Sequence, residues 1–454
     1  MKTLIKAAAL ALATLTAGAQ DLTHKAPPQT TPIVLTGATV HTVSGETIPN
    51  GAVAFRDGRL EYVGPARAGW QRIYNVIELP ADRHVYPGMF ASATSLGLTE
   101  ISSVRDTIDT RELNEFSPEV RSVAAVNPDS TLIPVARSNG ILLAGVFPTG
   151  GVLQGRAGVI RMDGWTNEGM TVEPYAGLVL DWPRMRPVTA WWMTQSKSEQ
   201  QKRIDENLAE IDAFFSEAED YRAAREADET LAEDLRYEAV LPALPRSSGA
   251  EDQRPLMIQA NDLDEITAAV EWAVRRGLRP IIVGGAEAHL ATGLLSRHDV
   301  PVVLRGLHSF PRRSDAAYDE SYTQPARLLE AGITFAIDSS EETGHVRGLP
   351  YEAAMAARHG AVMAARGEPG FTPQDAVRAI TLGPAEIFGV ADSYGSLERG
   401  KSATLIVTDG PILEIPTQVL HAFIDGREID LSNKQTKLRD KYVDKYRQLN
   451  MLDD

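Results

Sequence analysis

The sequence predicts an α/β protein: a central run of strand–helix units making a parallel sheet, with short strands at both chain ends. Two patterns carry this expectation. In the middle of the chain, short apolar runs alternate with amphipathic stretches, the rhythm of βα units. At each end, brief β-type runs are punctuated by turn residues, Asp57-Gly58 near the start and Asp425-Gly426 near the finish. The two ends are alike enough to be expected in one small β-domain beside the central sheet.

The first residues are set apart from the rest. Lys2 and Lys6 precede an apolar run from Ala7 to Leu15, and Ala17-Gly18-Ala19 supplies the small residues of a cleavage site. This is the pattern of a secretory signal peptide and is too short for a membrane span. Residues 20–31 are polar and contain prolines, as in a short leader. From Pro32 the strands begin, with Ile33–Thr36, Thr39–Thr42, Ala52–Phe55 and Leu60–Val63 expected in a small antiparallel sheet.

Further along, Leu256–Gln259 reads as a strand. Asp262 and Glu265 form a capping box before the helical stretch Ile266–Val274, which Gly277 ends. Pro280–Gly284, Val300–Leu304 and Thr334–Asp338 continue the strands, with a helix around Pro325–Ala331. Residues 197–240 differ, being rich in charge and alanine, with Ile204, Leu208, Ile211 and Phe215 at helical spacing. They predict two long solvent-facing helices elaborating one connection. Helices at Pro373–Ile380 and near Ala385–Phe388 lead back to strands at Ala403–Val407 and Val419–Ile424. A tail helix follows, with Leu438, Tyr442, Tyr446 and Leu449 near one face.

Composition narrows the function classes. The chain has 454 residues, 43% of them hydrophobic, and a formal charge of −16, which becomes about −18 once Lys2 and Lys6 leave with the leader. Such an acidic protein is a poor partner for nucleic acid or an anionic membrane. It has no cysteine, which excludes disulfides, thiolate metal sites and cysteine nucleophiles. No later apolar run reaches the length of a membrane helix. A soluble, exported protein is expected, periplasmic in a diderm bacterium.

Three stretches resemble one known family. They are His84–Gly97; Leu349–Ala353 with Ala376–Thr381 and Gly383–Gly389; and Gly395–Val407. Together with the strands ending at Asp57-Gly58-Arg59-Leu60, they are similar to the imidazolonepropionase-like branch of the amidohydrolase superfamily. The resemblance implies a (β/α)8 TIM-like barrel over residues 85–390, with its helical insertion near 197–240. A composite β-sandwich would be built from residues 20–84 and 391–430, behind a signal peptide at 1–19. Residues 431–454 would form a helical tail.

In that family a metal, usually zinc, activates water against an amide or ring C–N bond, held by histidines and an aspartate at the strand ends. The positions that resemblance assigns to those ligands are occupied differently here. The first-strand pair is Ala93 and Ser95, the fifth strand offers Gln259 and Asn261, the sixth Gly284, and the eighth Ser340. Amide and hydroxyl side chains are poor zinc ligands, so no metal or other cofactor is expected.

Other candidates stand nearby. Asp338 precedes Ser340 by two residues, which places it on the same side of a strand, and His345 follows in the loop. They could form a metal-free acid/base pair or be ordinary loop polarity. His289 either overhangs the pocket or is an exposed loop residue. Glu100 and Arg105, after the first strand, fit a salt-bridge network or a polar-ligand site equally well. Pro148–Gly151 with Gln154–Arg156 reads as a tight turn rather than an anion cradle. Trp182, Trp191 and Trp192 either line a pocket mouth or pack beneath the insertion.

Two functions stand foremost, ahead of a metal-free hydrolase built on Asp338 and its neighbours. One is a hydrolase of cyclic amide-like or dipeptide C–N bonds. The other is an inactive homologue that binds a small-molecule ligand or serves as a non-catalytic subunit, as a homo-oligomer or with an intact paralogue. The loss at every ligand position favours the second.

Overall fold

The computed structural model describes residues 24–245, 252–339 and 344–452. The expected signal peptide therefore lies outside the described residues.

Seven short strands come first: β1 (Ile33–Thr36), β2 (Thr39–His41), β3 (Thr47–Ile48), β4 (Gly51–Arg56), β5 (Arg59–Pro65), β6 (Asn75–Glu78) and β7 (His84–Pro87). Asp57 and Gly58 join β4 to β5 with φ of 49° and 79°. Two positive φ angles make the tight hairpin turn that this residue pair favours. These strands fall in two sheets, and neither is wholly antiparallel as the sequence suggested: β1 runs parallel to β6 in a four-stranded sheet with β4 and β5, and β2 runs parallel to β7 in the other.

The barrel strands follow: β8 (Met89–Thr94), β9 (Ile141–Val146), β10 (Leu153–Arg161), β11 (Thr171–Asp181), β12 (Leu256–Ala260), β13 (Pro280–Gly284), β14 (Val302–Arg305) and β15 (Phe335–Asp338). They form one eight-stranded sheet in sequence order. One strand departs from the expected all-parallel pattern: β10 runs antiparallel to both β9 and β11. The link from Val146 to Leu153 is too short for a crossover helix, so the chain must turn straight back. Gly150 and Gly151 take φ of 83° and 75° there, and a Cβ on Gly151 would come within 2.8 Å of the Asn114 and Glu115 carbonyls. Carbonyl oxygens crowd this loop, which suits a tight turn and disfavours an anion.

Alternation along the strands sends Phe90, Leu143, Val159, Val179, Met257 and Val303 into one apolar core inside the barrel, with Phe388 packed against it. Each such side chain stabilises the fold by about 1.5–3 kcal/mol when fully buried.

The C-terminal strands β16 (Leu405–Thr408), β17 (Val419–Ile424) and β18 (Arg427–Glu428) join β7, β2 and β3 in a six-stranded sheet. Both chain ends therefore build the β-domain, as the sequence anticipated. Asp425 and Gly426, with φ of 47° and 72°, repeat the hairpin turn of Asp57-Gly58.

The insertion is a correction. Instead of two long helices there is one of 31 residues, Lys197–Ala227, and a short one, Leu235–Val240. Asp228 folds back on Thr230 and stops the long helix, and Asp234 caps the next. The long helix is also anchored rather than merely solvent-facing, since Ile211 and Phe215 are fully buried and Phe215 meets Trp272 edge-on. No described helix is long and apolar enough to cross a membrane.

Candidate functional site

The barrel's eight strands present one layer of inward side chains at their C-terminal mouth, where barrel chemistry is built. Continuing the alternation from the apolar core places Asp181, Gln259, Val283, Arg305 and Asp338 in that layer. The register pairs Asp181 with Gln259, Gln259 with Val283, and Arg305 with Asp338. Gln154, at the start of the reversed strand, completes it.

Asp338 closes the barrel. The end strands β8 and β15 share no backbone ladder. Instead Asp338 Oδ1 accepts hydrogen bonds from the amides of Ser92 at 2.7 Å and Ala93 at 3.1 Å. Its Oδ2 faces the Arg305 guanidinium, with Nε at 3.4 Å. The side chain is fully buried, and burial pushes its carboxyl up to about 6 against the pull of Arg305 and the two amides. A nearby buried carboxylate, Glu352, adds to the rise.

The remaining layer is equally occupied with itself. Gln259 donates Nε2 to Gln154 Oε1 at 3.3 Å. Gly284 has φ of 110°, and a Cβ there would lie 2.6 Å from Asn261 Oδ1. Two positions at which the family resemblance implied ligands thus pack on each other. Ala93 contributes only its backbone amide, and Ser95 is half-buried beside it. Ser340 lies outside the described residues.

Asp181 is different, because its carboxyl opens on the mouth. Partial burial among the strand ends pushes it up to about 6, with Glu265 adding repulsion and Arg184 opposing. Sequence reasoning missed both Asp181 and Arg305. Each is the single charged residue ending an apolar strand, Leu178-Val179-Leu180-Asp181 and Val302-Val303-Leu304-Arg305, and that signal was available.

The other candidates are dispersed. His345 is exposed at the head of the short turn Val346–Gly348, whereas Asp338 is buried within the barrel seam. His289 is buried rather than exposed, its Nε2 lying 3.4 Å from Glu320, and burial lowers its pKa. Glu100 Oε2 accepts from the Thr131 amide at 3.2 Å and hydroxyl at 3.3 Å, while Arg105 is exposed. Trp182 is buried against Trp272, but Trp191 and Trp192 stand exposed on the loop beyond it.

The layer does not fit a zinc ion. Zinc needs three or four imidazole, thiolate or carboxylate donors converging on one point. Of the nine histidines none lies on a barrel strand, and the described residues contain no group of three or more histidines or carboxylates arranged to hold a metal. One Asp338 oxygen is committed to the two amides, and the other, which has no hydrogen-bond partner, lies near a guanidinium whose positive charge repels a second cation.

The comparisons with known proteins bear on this geometry. Residues 326–430 match the amidohydrolase family model. A crystal structure of an amidohydrolase from Thermotoga maritima is similar with a TM-score of 0.73 and 22% identity, over 88% of this chain and 99% of that one. The chain has an amidohydrolase-superfamily fold. An adenosine deaminase from Xanthomonas campestris, solved with bound zinc, is similar with a TM-score of 0.51 and 16% identity, over 93% of this chain and all (100%) of that one. No curated protein sequence matches the chain. The family match falls on the stretch that holds Leu349–Ala353, Ala376–Gly389 and Gly395–Val407, and stops short of every barrel strand before β15.

Proposed function

We propose that the protein is a catalytically inactive amidohydrolase homologue, which works by binding a small-molecule ligand or as the non-catalytic subunit of an assembly. The observation that carries this reading is the Arg305–Asp338 pair, a fixed guanidinium in the layer where the fold's chemistry needs a metal cation. The Gln259–Gln154 contact and the packing of Asn261 over Gly284 support it, because they consume the neighbouring positions. The loops around the mouth carry exposed Trp191, Trp192 and Phe310, side chains that a ligand or partner would cover. The N-terminal leader supports export, with the periplasm as its destination in a diderm cell.

A second reading is a hydrolase acting on cyclic amide-like or dipeptide C–N bonds. One observation favours it: the Asp181 carboxyl, open to the mouth and raised to about 6, titrates where a general acid or base is effective.

Dialysis of the mature protein against excess zinc, followed by metal analysis and assay on amide and dipeptide substrates, separates the two. Less than stoichiometric zinc and no turnover is the expected result. Stoichiometric zinc with hydrolysis overturns the inactive-homologue reading. Turnover that persists in chelator and disappears in Asp181→Asn would establish the second.

A further inference from the structure

Away from the barrel mouth, a cavity of about 560 Å³ opens between the six-stranded sheet and the helices Leu349–Ala365 and Pro373–Ala379. Its size is that of a small-molecule site. One wall is a trio of rings. His41 stacks on Tyr86 with centroids 4.1 Å apart and planes 9° apart, and His84 lies 6.0 Å from Tyr86 at 13°. The opposite wall is helical and stays low because Ala354, Ala357 and Ala361, at spacings of three and four, present only methyl groups. Val377, Ile412 and Leu413 add apolar surface to the lining.

Arg358, Gln374 and Glu414 also line the cavity, and the ring wall adds a neutral polar point of its own. His41 Nε2 and His84 Nδ1 share a hydrogen bond of 2.9 Å, and Thr47 Oγ1 lies 3.5 Å from His41 Nδ1. His84 Nε2 has no partner among the described residues and is not among the atoms shut off from solvent. Burial lowers the pKa of both imidazoles, so the pair is neutral near pH 7 and offers an anion no charge.

A separate observation marks the same place. Val43, which lines the cavity, has φ of 71°. A β-branched residue in the left-handed region is strained, and such strain persists where the surroundings impose it, often at functional sites. Here Thr42 holds the turn, its Oγ1 donating to Glu46 O at 3.0 Å and accepting from Gly45 N at 3.1 Å.

We propose that this cavity is a binding site for a planar aromatic molecule of one or two rings that bears a hydroxyl group. The ring lies between the wall of His41, His84 and Tyr86 and the alanine wall, and the hydroxyl meets His84 Nε2. A hydroxyl suits either direction of the His41–His84 hydrogen bond, since it can donate to or accept from that nitrogen. The site is independent of the barrel mouth and of whether that mouth catalyses anything.

The test is titration of the full mature chain with 2-naphthol, read by its fluorescence and by calorimetry. Saturable one-to-one binding is expected, with a dissociation constant on the order of 0.1 mM for a ligand of this size. Ala361→Phe, at an exposed helix position, fills the cavity and should weaken binding at least about tenfold. Ala354→Leu should do the same, and thermal melting confirms that each variant folds. His84→Phe keeps the ring wall but removes the nitrogen, so it should weaken 2-naphthol about tenfold and leave naphthalene unchanged. Absence of saturable binding overturns the proposal, as does binding indifferent to both alanine variants. Equal loss of naphthalene and 2-naphthol in His84→Phe overturns the role of the hydroxyl.

Discussion

The barrel mouth and the cleft beneath the β-domain are built from opposite materials. At the mouth the fold supplies the place for chemistry, yet most polar side chains there turn to each other: Asp338 Oδ1 to Ser92 and Ala93, its unbonded Oδ2 toward Arg305, and Gln259 to Gln154. In the cleft two neutral imidazoles, one with an unpartnered nitrogen, face a largely apolar hollow of about 560 Å³. A polar group contributes to binding when it is held in place and still has capacity left. By that measure the cleft is the better prepared of the two, and Asp181 is the mouth's principal reserve.

The contrast can be broken at its strongest point. Asp338→Ala removes the acceptor that joins β8 to β15 and leaves Arg305 without its counter-charge. Stranding the two buried amides costs about 1–3 kcal/mol, and the partly exposed Arg305 adds little. Urea unfolding of the variant measures it, and a loss below about 1 kcal/mol would mean that Asp338 is not the seam of the barrel.

The two regions should also respond to pH with opposite signs. His41 is lowered to about 4 from its ordinary 6.5, so between these values the unfolded chain takes up a proton that the folded chain refuses. Its contribution to stability therefore falls as pH drops from 6.5 toward 4. Asp338 is raised to about 6 from 3.8, so the folded chain holds the proton that the unfolded chain has released. Its contribution is fully present below 3.8 and is lost as pH rises through 6. Unfolding midpoints from pH 4 to 7 check this: relative to wild type, His41→Asn should gain stability as pH falls and Asp338→Asn as pH rises. Parallel profiles for the two variants would remove the distinction.

The smallest expected effect sharpens the cleft. Val43→Asn puts a residue tolerant of positive φ where valine is strained, and should raise stability by about 1 kcal/mol in thermal or urea unfolding. A destabilised variant would show that valine's packing against the cleft outweighs its backbone strain.

Much of this architecture was legible in the chain. The Asp57-Gly58 and Asp425-Gly426 turns, the capping box at Asp262 and Glu265, and the apolar strands from Leu256 to Asp338 depend on contacts within a few residues. The reversal of β10 was less legible, because its cue is the brevity of the Val146–Leu153 link rather than any motif. The insertion was overread, since periodicity alone does not reveal that Asp228 ends the helix. For the candidate site, Ala93, Gln259, Asn261 and Gly284 were singled out through resemblance, but the contacts they make were not foreseen.

The sequence by itself determined the α/β alternation, the β-domain shared between the chain ends, and the absence of histidine from every barrel strand, because local periodicity, turn chemistry and residue identity are properties of the chain. Only the tertiary structure decided that Arg305 meets Asp338, that Asp338 stitches β15 to Ser92 and Ala93, and that His41, His84 and Tyr86 stack beside a helix of alanines. Asp338 and Ser92 are separated by 246 positions in the chain. Their contact exists because barrel closure brings the first and last strands together, and no local pattern encodes that distance.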